Sequence, residues 1–282
     1  MGITMLGLDV AKAIRQNLIQ EVQELKEKGI CPHLAIIRVG ARPDDLSYER
    51  GARKCMEKVG IGCHVIELEE HISQQEFEQA FDKVNWDANV HGILLLQPLP
   101  KHLDVERVKA KISPYKDVDC MCNENVAKLF LGDKTGYAPC TAEAVMEMIQ
   151  YYGIPTEGKR VVILGRSLVI GKPLSMLMLE QNGTVTICHS RTEHMEQICK
   201  EADILVAAAG KKRMVTAQMI KEGATVIDVG IHVDEDGKLC GDVDFENVEP
   251  KAAYITPVPK GVGSVTTSVL AKHVVMAAKM AK

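Results

Sequence analysis

A chain of 282 residues is long for the commonest single-domain size and short for three domains, so two domains of about 100 to 150 residues are expected. Hydrophobic residues at 46% and charged residues at 26% exclude a disordered or fibrous chain. The net charge of -4 gives no reason to expect a nucleic-acid partner.

The opening segment "MGITMLGLDVAKAIRQ" lacks a basic leader, a long apolar core and a cleavage site. No apolar run approaches the roughly 20 residues that span a bilayer, so a cytoplasmic protein with no membrane partner is expected. Residues 8 to 28 set Ile14, Leu18, Val22 and Leu25 three or four apart, with Gly29 as a stop, and predict an amphipathic helix. Then come a buried strand "LAIIRVG", a helix from about 46 to 59, strand "CHVIEL", a helix around 75 to 84, strand "VHGILLL" and a helix around 104 to 112. This alternation predicts parallel strands joined by crossover helices. Nine cysteines, scattered and odd in number, suit reduced thiols, and the close pair Cys120 and Cys122 has no second pair or nearby His to make a metal site. No metal is expected.

A second alternating series begins after "YAPCT": helix 141 to 152, strand "RVVIL", helix 173 to 182, strand "TVTIC", a helix near 195, strand "ILVAAA", a helix near 216 and strand "TVIDVG". In outline it is a complete nucleotide-binding α/β unit. The predicted domains are 1–120 and 121–264, with a final helix from about 265 to 282 able to pack back on the first. Within "VVILGRSLVIGKPLSML", Gly165 and Gly171 permit close backbone approach, the helix N-terminus offers free amides, and Arg166 and Ser167 add a cation and a hydroxyl. An ordinary structural turn is the competing reading. The next strand ends in His189, Ser190, Arg191 and Thr192, where an NAD site would carry an acid for the ribose diol and a 2'-phosphate would call for a cation. This leans toward NADP, with Glu193 keeping NAD open.

The segments "GRSLVIGKP", "TVTICHSRT", "ADILVAAAG", "VIDVGI", "GDVDF" and "YITPVPKGVGSVT", in that order after "VG", "SY" and "KDVD", closely resemble the methylenetetrahydrofolate dehydrogenase/cyclohydrolase family over nearly the whole chain. The resemblance implies a homodimer with an N-terminal α/β folate-binding domain, a C-terminal Rossmann-like domain and a cleft between them. It implies that Gly165, Arg166 and Ser167 form the cofactor loop, that Ser190 lies near the adenosine ribose, and that Ile231 contacts the cofactor. It also implies that Tyr48 stacks on a tetrahydrofolate derivative, that Asp119 hydrogen-bonds the pterin, and that residues 257 to 263, with Pro259, Gly261, Val262 and Gly263, line the folate site. Read from pattern alone, Tyr48 could equally be a core tyrosine and Asp119 a turn or cap.

The chain departs from the family pattern where that pattern places proton-transfer groups. The family's lysine follows the tyrosine by four residues, roughly 40° away on the same helical face; here that position is Ala52, and Lys54, at six, falls roughly 240° round. Arg50 and Arg53 fall roughly 200° and 140° round. The family's glutamine position holds Leu96, and Gln97 points to the opposite face of a strand. Lys260 stands where the family has glycine, and Ser264 where it has proline. Hydride transfer needs aligned carbons and no obligatory protein acid or base, whereas hydrolysis of the methenyl product needs a titratable group. The expectation is therefore a dehydrogenase with cyclohydrolase activity lost or very weak, its product passing to a separate cyclohydrolase. The alternatives are a bifunctional enzyme using displaced groups, Lys260 among them, and a non-catalytic folate- or nucleotide-binding protein.

Overall fold

The computed structural model describes residues 2–281. In chain order the elements are β1 (Ile3–Thr4), α1 (Gly7–Glu27), β2 (His33–Val39), α2 (Pro43–Val59), β3 (Gly62–Leu68), α3 (Gln74–Trp86), β4 (Gly92–Leu95), α4 (Val105–Lys109) and α5 (Asn123–Leu131). They continue with α6 (Cys140–Tyr151), β5 (Arg160–Leu164), α7 (Gly171–Glu180), β6 (Thr184–Cys188), α8 (Met195–Lys200), β7 (Ile204–Ala207) and β8 (Thr225–Asp228). The last are β9 (His232–Val233), β10 (Leu239–Cys240), α9 (Phe245–Val248), β11 (Tyr254–Ile255) and α10 (Thr266–Met280). Among the described residues no helix is long and apolar enough to cross a membrane.

The chain forms two compact units. One comprises residues 13–140 and 267–282. Its sheet is wholly parallel, in the order β3-β2-β4, with Leu34 to Ile37 of β2 opposite Gly92 to Leu95 of β4. Six of the seven residues of the central strand β2 are buried, as expected of a parallel strand covered on both faces. Phe77 and Phe81, one turn apart on α3, pack with Ile37, Ile93 and Leu95 to fill one side of this sheet.

Helix α2 of this unit begins earlier than its apolar spacing suggests, because Pro43 opens it with a preset φ and Asp44 and Asp45 face the positive end of the helix dipole. Gly60, at φ 80°, closes it in the left-handed conformation. A buried ion pair, Arg38 Nε to Glu49 Oε2 at 2.7 Å, ties α2 to β2.

The other unit comprises residues 1–12 and 141–266. Its six strands run in the order β1-β11-β8-β7-β5-β6, every pairing parallel. Leu164, Leu205, Val226 and Ile255 contribute to one buried apolar layer. The C-terminal ends of β5, β6, β7 and β8 lie along one edge, where an open parallel sheet binds its ligands. A small antiparallel hairpin, β9 with β10, follows β8.

Candidate active site

In the 141–266 unit, β5 ends at Leu164 and the chain turns through Gly165 at φ 121°. A Cβ on Gly165 would overlap the Ala208 carbonyl oxygen after β7, and one on Gly171 would overlap the Gly165 carbonyl. Only glycine lets these backbones approach so closely. The turn is pinned by Lys172 N–H to the Ser167 carbonyl at 3.1 Å and Ile170 N–H to Ser167 Oγ at 3.2 Å. Arg166 and Ser167 remain exposed just ahead of the α7 N-terminus. A cavity of about 280 Å³ is lined by Gly165, Arg166, Ser167, Ser190, Ala209 and Lys211, among others. The structure thus brings Gly165, Arg166, Ser167 and Ser190 together.

The turn after β6 is closed by His189 N–H to Thr192 Oγ1 at 2.9 Å and Thr192 N–H to the His189 carbonyl at 2.8 Å. Arg191 and Glu193 are both exposed on it. The tip next to the cavity therefore presents a hydroxyl and a cation. A glycine cradle, a helix N-terminus and this tip fit a dinucleotide phosphate and ribose.

Ile231, Pro259, Gly261, Val262 and Gly263 line a second cavity of about 220 Å³ in the same unit, together with Lys260 and Leu239. A Cβ on Gly263 would sit 3.5 Å from Ile231 Cδ1, so the resemblance-implied cofactor contact and the resemblance-implied folate loop share one pocket. Lys260 is exposed, at φ 80°, and its carbonyl accepts from Gly7 N–H at 2.8 Å. A non-glycine residue thus holds a left-handed position that glycine would fill without steric cost.

Asp228, at the end of β8 and also in the lining of this pocket, accepts from the N–H groups of Gly230 (2.9 Å), Asp242 (3.0 Å) and Val243 (2.8 Å). Burial pushes its carboxyl up to about 6 although these amides favour the charged form. Sequence reasoning did not single out Asp228, Asp242 or His232. The available signal was no more than an acid within two residues of a glycine in both "IDVG" and "CGDVD".

In the 13–140 unit, Tyr48 is half-buried on α2, while Arg50, Arg53 and Lys54 are exposed. Ala52 is 0% exposed, so its position faces the interior. Leu96 is 7% exposed and its N–H donates to the Ile37 carbonyl at 3.0 Å, extending the β4 ladder by one residue. Gln97 is exposed and its Nε2 lies 3.3 Å from Met121 Sδ. Asp119 Oδ1 accepts from Cys140 N–H at 2.8 Å, and burial pushes its carboxyl above the usual aspartate value. Its neighbour Asp117, fully buried, braces the loop by accepting from Met121 N–H at 2.7 Å and from Cys122 N–H and Asn125 Nδ2, each at 2.9 Å. Burial pushes the Cys122 thiol up to about 11, which keeps it protonated and a poor metal ligand. Among the described residues no group of three or more His, Cys, Asp or Glu could hold a metal ion.

A parallel-sheet domain with a glycine cradle and a hydroxyl- and cation-bearing strand tip, joined in one chain to a second α/β unit with a three-stranded sheet, defines a two-domain dinucleotide-binding protein. Residues 5–119 match the catalytic domain of tetrahydrofolate dehydrogenase/cyclohydrolase, and residues 139–282 match the NAD(P)-binding domain of the same family. The chain belongs to the tetrahydrofolate dehydrogenase/cyclohydrolase family. It is 54% identical over 280 residues to the Bifunctional protein FolD of Alkaliphilus oremlandii, covering 99% of this chain and 98% of the relative. The crystal structure of the bifunctional methylenetetrahydrofolate dehydrogenase/cyclohydrolase FolD from Campylobacter jejuni superposes with a TM-score of 0.97 at 39% identity, covering 99% of each chain. The Trypanosoma brucei enzyme, complexed with NADP cofactor and inhibitor, superposes at 0.93 and 39% identity, covering 99% of this chain and 97% of that one.

Proposed function

We propose that this chain is a methylenetetrahydrofolate dehydrogenase with NADP as the favoured cofactor. A bound nicotinamide would accept one hydride, a proton with its two electrons, from the methylene carbon of 5,10-methylenetetrahydrofolate, which is left as the methenyl cation. The observation that carries this reading is the joint retention of the Gly165–Gly171 cradle and of Asp119 held on the Cys140 amide. In this reading Gly165, Arg166, Ser167, Ser190 and Arg191 hold the dinucleotide, and Ile231 bounds it. Tyr48 stacks on the folate, Asp119 hydrogen-bonds its pterin, and Pro259, Gly261, Val262 and Gly263 line its site. Because hydride transfer needs no protein base, these residues work by positioning and by excluding water. The enzyme acts as a homodimer in the cytoplasm.

For the second reaction, hydrolysis of the methenyl product, the relatives give better support to a bifunctional enzyme. The family's name and the full-length similarity to proteins called bifunctional both carry that activity. Proton transfer then needs a titratable group, and Lys260, in the pocket wall with Ile231, is the basic residue placed there. The second reading, dehydrogenase alone with a separate cyclohydrolase downstream, rests on one specific observation: Ala52 and Leu96 are buried, and neither can titrate or hydrogen-bond through its side chain.

The deciding experiment adds methylenetetrahydrofolate to purified protein with NADP or NAD and follows both cofactor reduction and decay of the methenyl product. No reduction of either cofactor would overturn the dehydrogenase reading. Decay above the spontaneous rate supports the bifunctional enzyme, and decay at the spontaneous rate supports the second reading.

A further inference from the structure

Asp242 is fully buried, yet none of the roles above uses it. Its Oδ2 accepts from Ala209 N–H at 2.6 Å and Gly210 N–H at 2.9 Å; its Oδ1 accepts from Lys211 N–H at 2.9 Å and His232 Nε2–H at 2.7 Å. An ionised carboxylate offers about four acceptor sites, so this one is filled by donors from two segments. Ala209 and Lys211 belong to the wall of the cavity that holds Arg166 and Ser190. His232 directly follows Ile231, in the wall of the other cavity. The approach is close: a Cβ on Gly230 would overlap the Asp242 carboxylate, and one on Gly241 would overlap that of Asp228.

We propose that the Asp242–His232 pair is a positioning device for the dinucleotide, fixing the 209–211 turn and the 230–232 segment to one carboxylate so that the walls gripping its two halves stay in register. This rests on the reading of the two pockets as a nicotinamide-dinucleotide site. A carboxylate offers only acceptors, so in this contact His232 donates from Nε2. His232 is half-buried, so its replacement opens no core cavity.

The test uses the full-length protein, with NADP affinity from calorimetry, steady-state kinetics with methylenetetrahydrofolate, and thermal melts. His232→Ala is expected to raise the NADP Kd about tenfold, the effect of losing a hydrogen bond to a charged group, and to lower kcat. The KM for methylenetetrahydrofolate should change less than about twofold, with the Tm within about 2 °C. His232→Gln, whose Nε2 lies the same number of bonds from Cα, should recover most of the affinity. Asp242→Asn presents an amide to backbone donors and should weaken NADP binding more than His232→Ala; should it fail to fold, His232→Ala decides. If the unmodified protein binds neither NADP nor NAD, the dinucleotide reading falls and this inference with it. If it binds NADP and folded His232→Ala binds equally well with unchanged kcat, the inference alone falls.

Discussion

The turn after β5 and the α2 and β4 positions of the other unit are both specified by side chains of minimal chemistry, and for opposite reasons. At Gly165 and Gly171, in the proposed cofactor loop, the missing Cβ is what the fold requires, because backbone oxygens occupy the space where it would lie. At Ala52 and Leu96 the side chains fill an interior and displace the polar groups that the family pattern places there. The comparison teaches that a site built from backbone geometry is read from glycine spacing, whereas a site built from proton transfer is read from which side chain occupies each position. Retention of the first says nothing about the second.

The strongest way to break this contrast is to restore the polar pair. In the dehydrogenase-only reading, Ala52→Lys with Leu96→Gln should raise methenyl hydrolysis about 10² to 10⁴-fold, the usual worth of general acid-base help. Stability should fall by about 1 to 3 kcal/mol, since an interior position must admit a longer, polar side chain. An enzyme that already hydrolyses efficiently, and gains nothing from the double change, would place its proton chemistry elsewhere. The reciprocal change acts on the cradle. Gly165→Ala puts a Cβ against the Ala208 carbonyl at a φ that disfavours it, which should weaken NADP binding about a hundredfold, or about 3 kcal/mol. An unchanged Kd in a folded variant would show that the close approach is unimportant.

The same contrast explains what was legible in the sequence. The alternating strands and helices were, because α1 repeats its apolar residues three or four apart over 21 residues and β2 and β5 hold short unbroken apolar runs. That Arg50, Arg53 and Lys54 lie off the Tyr48 face was legible from spacing, because helix geometry fixes the angles; that this puts them in solvent came from the structure. β1 and β11, two residues each, carry no periodicity, and they are strands only because each pairs with a strand distant in sequence. α5 was missed because Val126, Phe130 and Leu131 on it are exposed, leaving a weak core-facing pattern. The Asp242 carboxylate was illegible as a site because three of its four partners are backbone amides some 30 residues upstream, and amides leave no mark in residue identity.

A third prediction concerns the far end of the small sheet, where titratable groups gather at the N-terminal ends of the strands. His33 Nε2 and His64 Nδ1 lie 2.6 Å apart, so one nitrogen must be unprotonated to accept. Burial first, and then His64, hold the His33 imidazole below its ordinary value, while Asp87 pulls the other way. His91, next to β4, is also held low, by burial and then by His33 and Lys116. A base whose folded pKa is depressed contributes stability fully present above its unfolded pKa of about 6.5 and lost as pH falls below it. Chemical denaturation midpoints should therefore fall between pH 7.5 and pH 5 by more in the unmodified protein than in His64→Asn. Parallel pH profiles for the two would mean the contact carries no pH dependence.

The smallest expected effect is at Lys260, where both kinds of position meet in one residue. Its φ of 80° costs an L side chain about 1 to 2 kcal/mol, and glycine would remove that cost while adding about 0.5 to 1 kcal/mol of chain entropy to be lost on folding. Lys260→Gly should therefore stabilise the protein by about 0.5 kcal/mol, measurable as a small rise in denaturation midpoint. A lysine kept at a position suited to glycine needs a reason beyond folding. If the variant becomes more stable, keeps its rate of cofactor reduction and drops to spontaneous methenyl hydrolysis, the ammonium is the displaced proton-transfer group. If hydrolysis does not change, the strain serves something other than that reaction, and the absent pair at positions 52 and 96 stands uncompensated by Lys260.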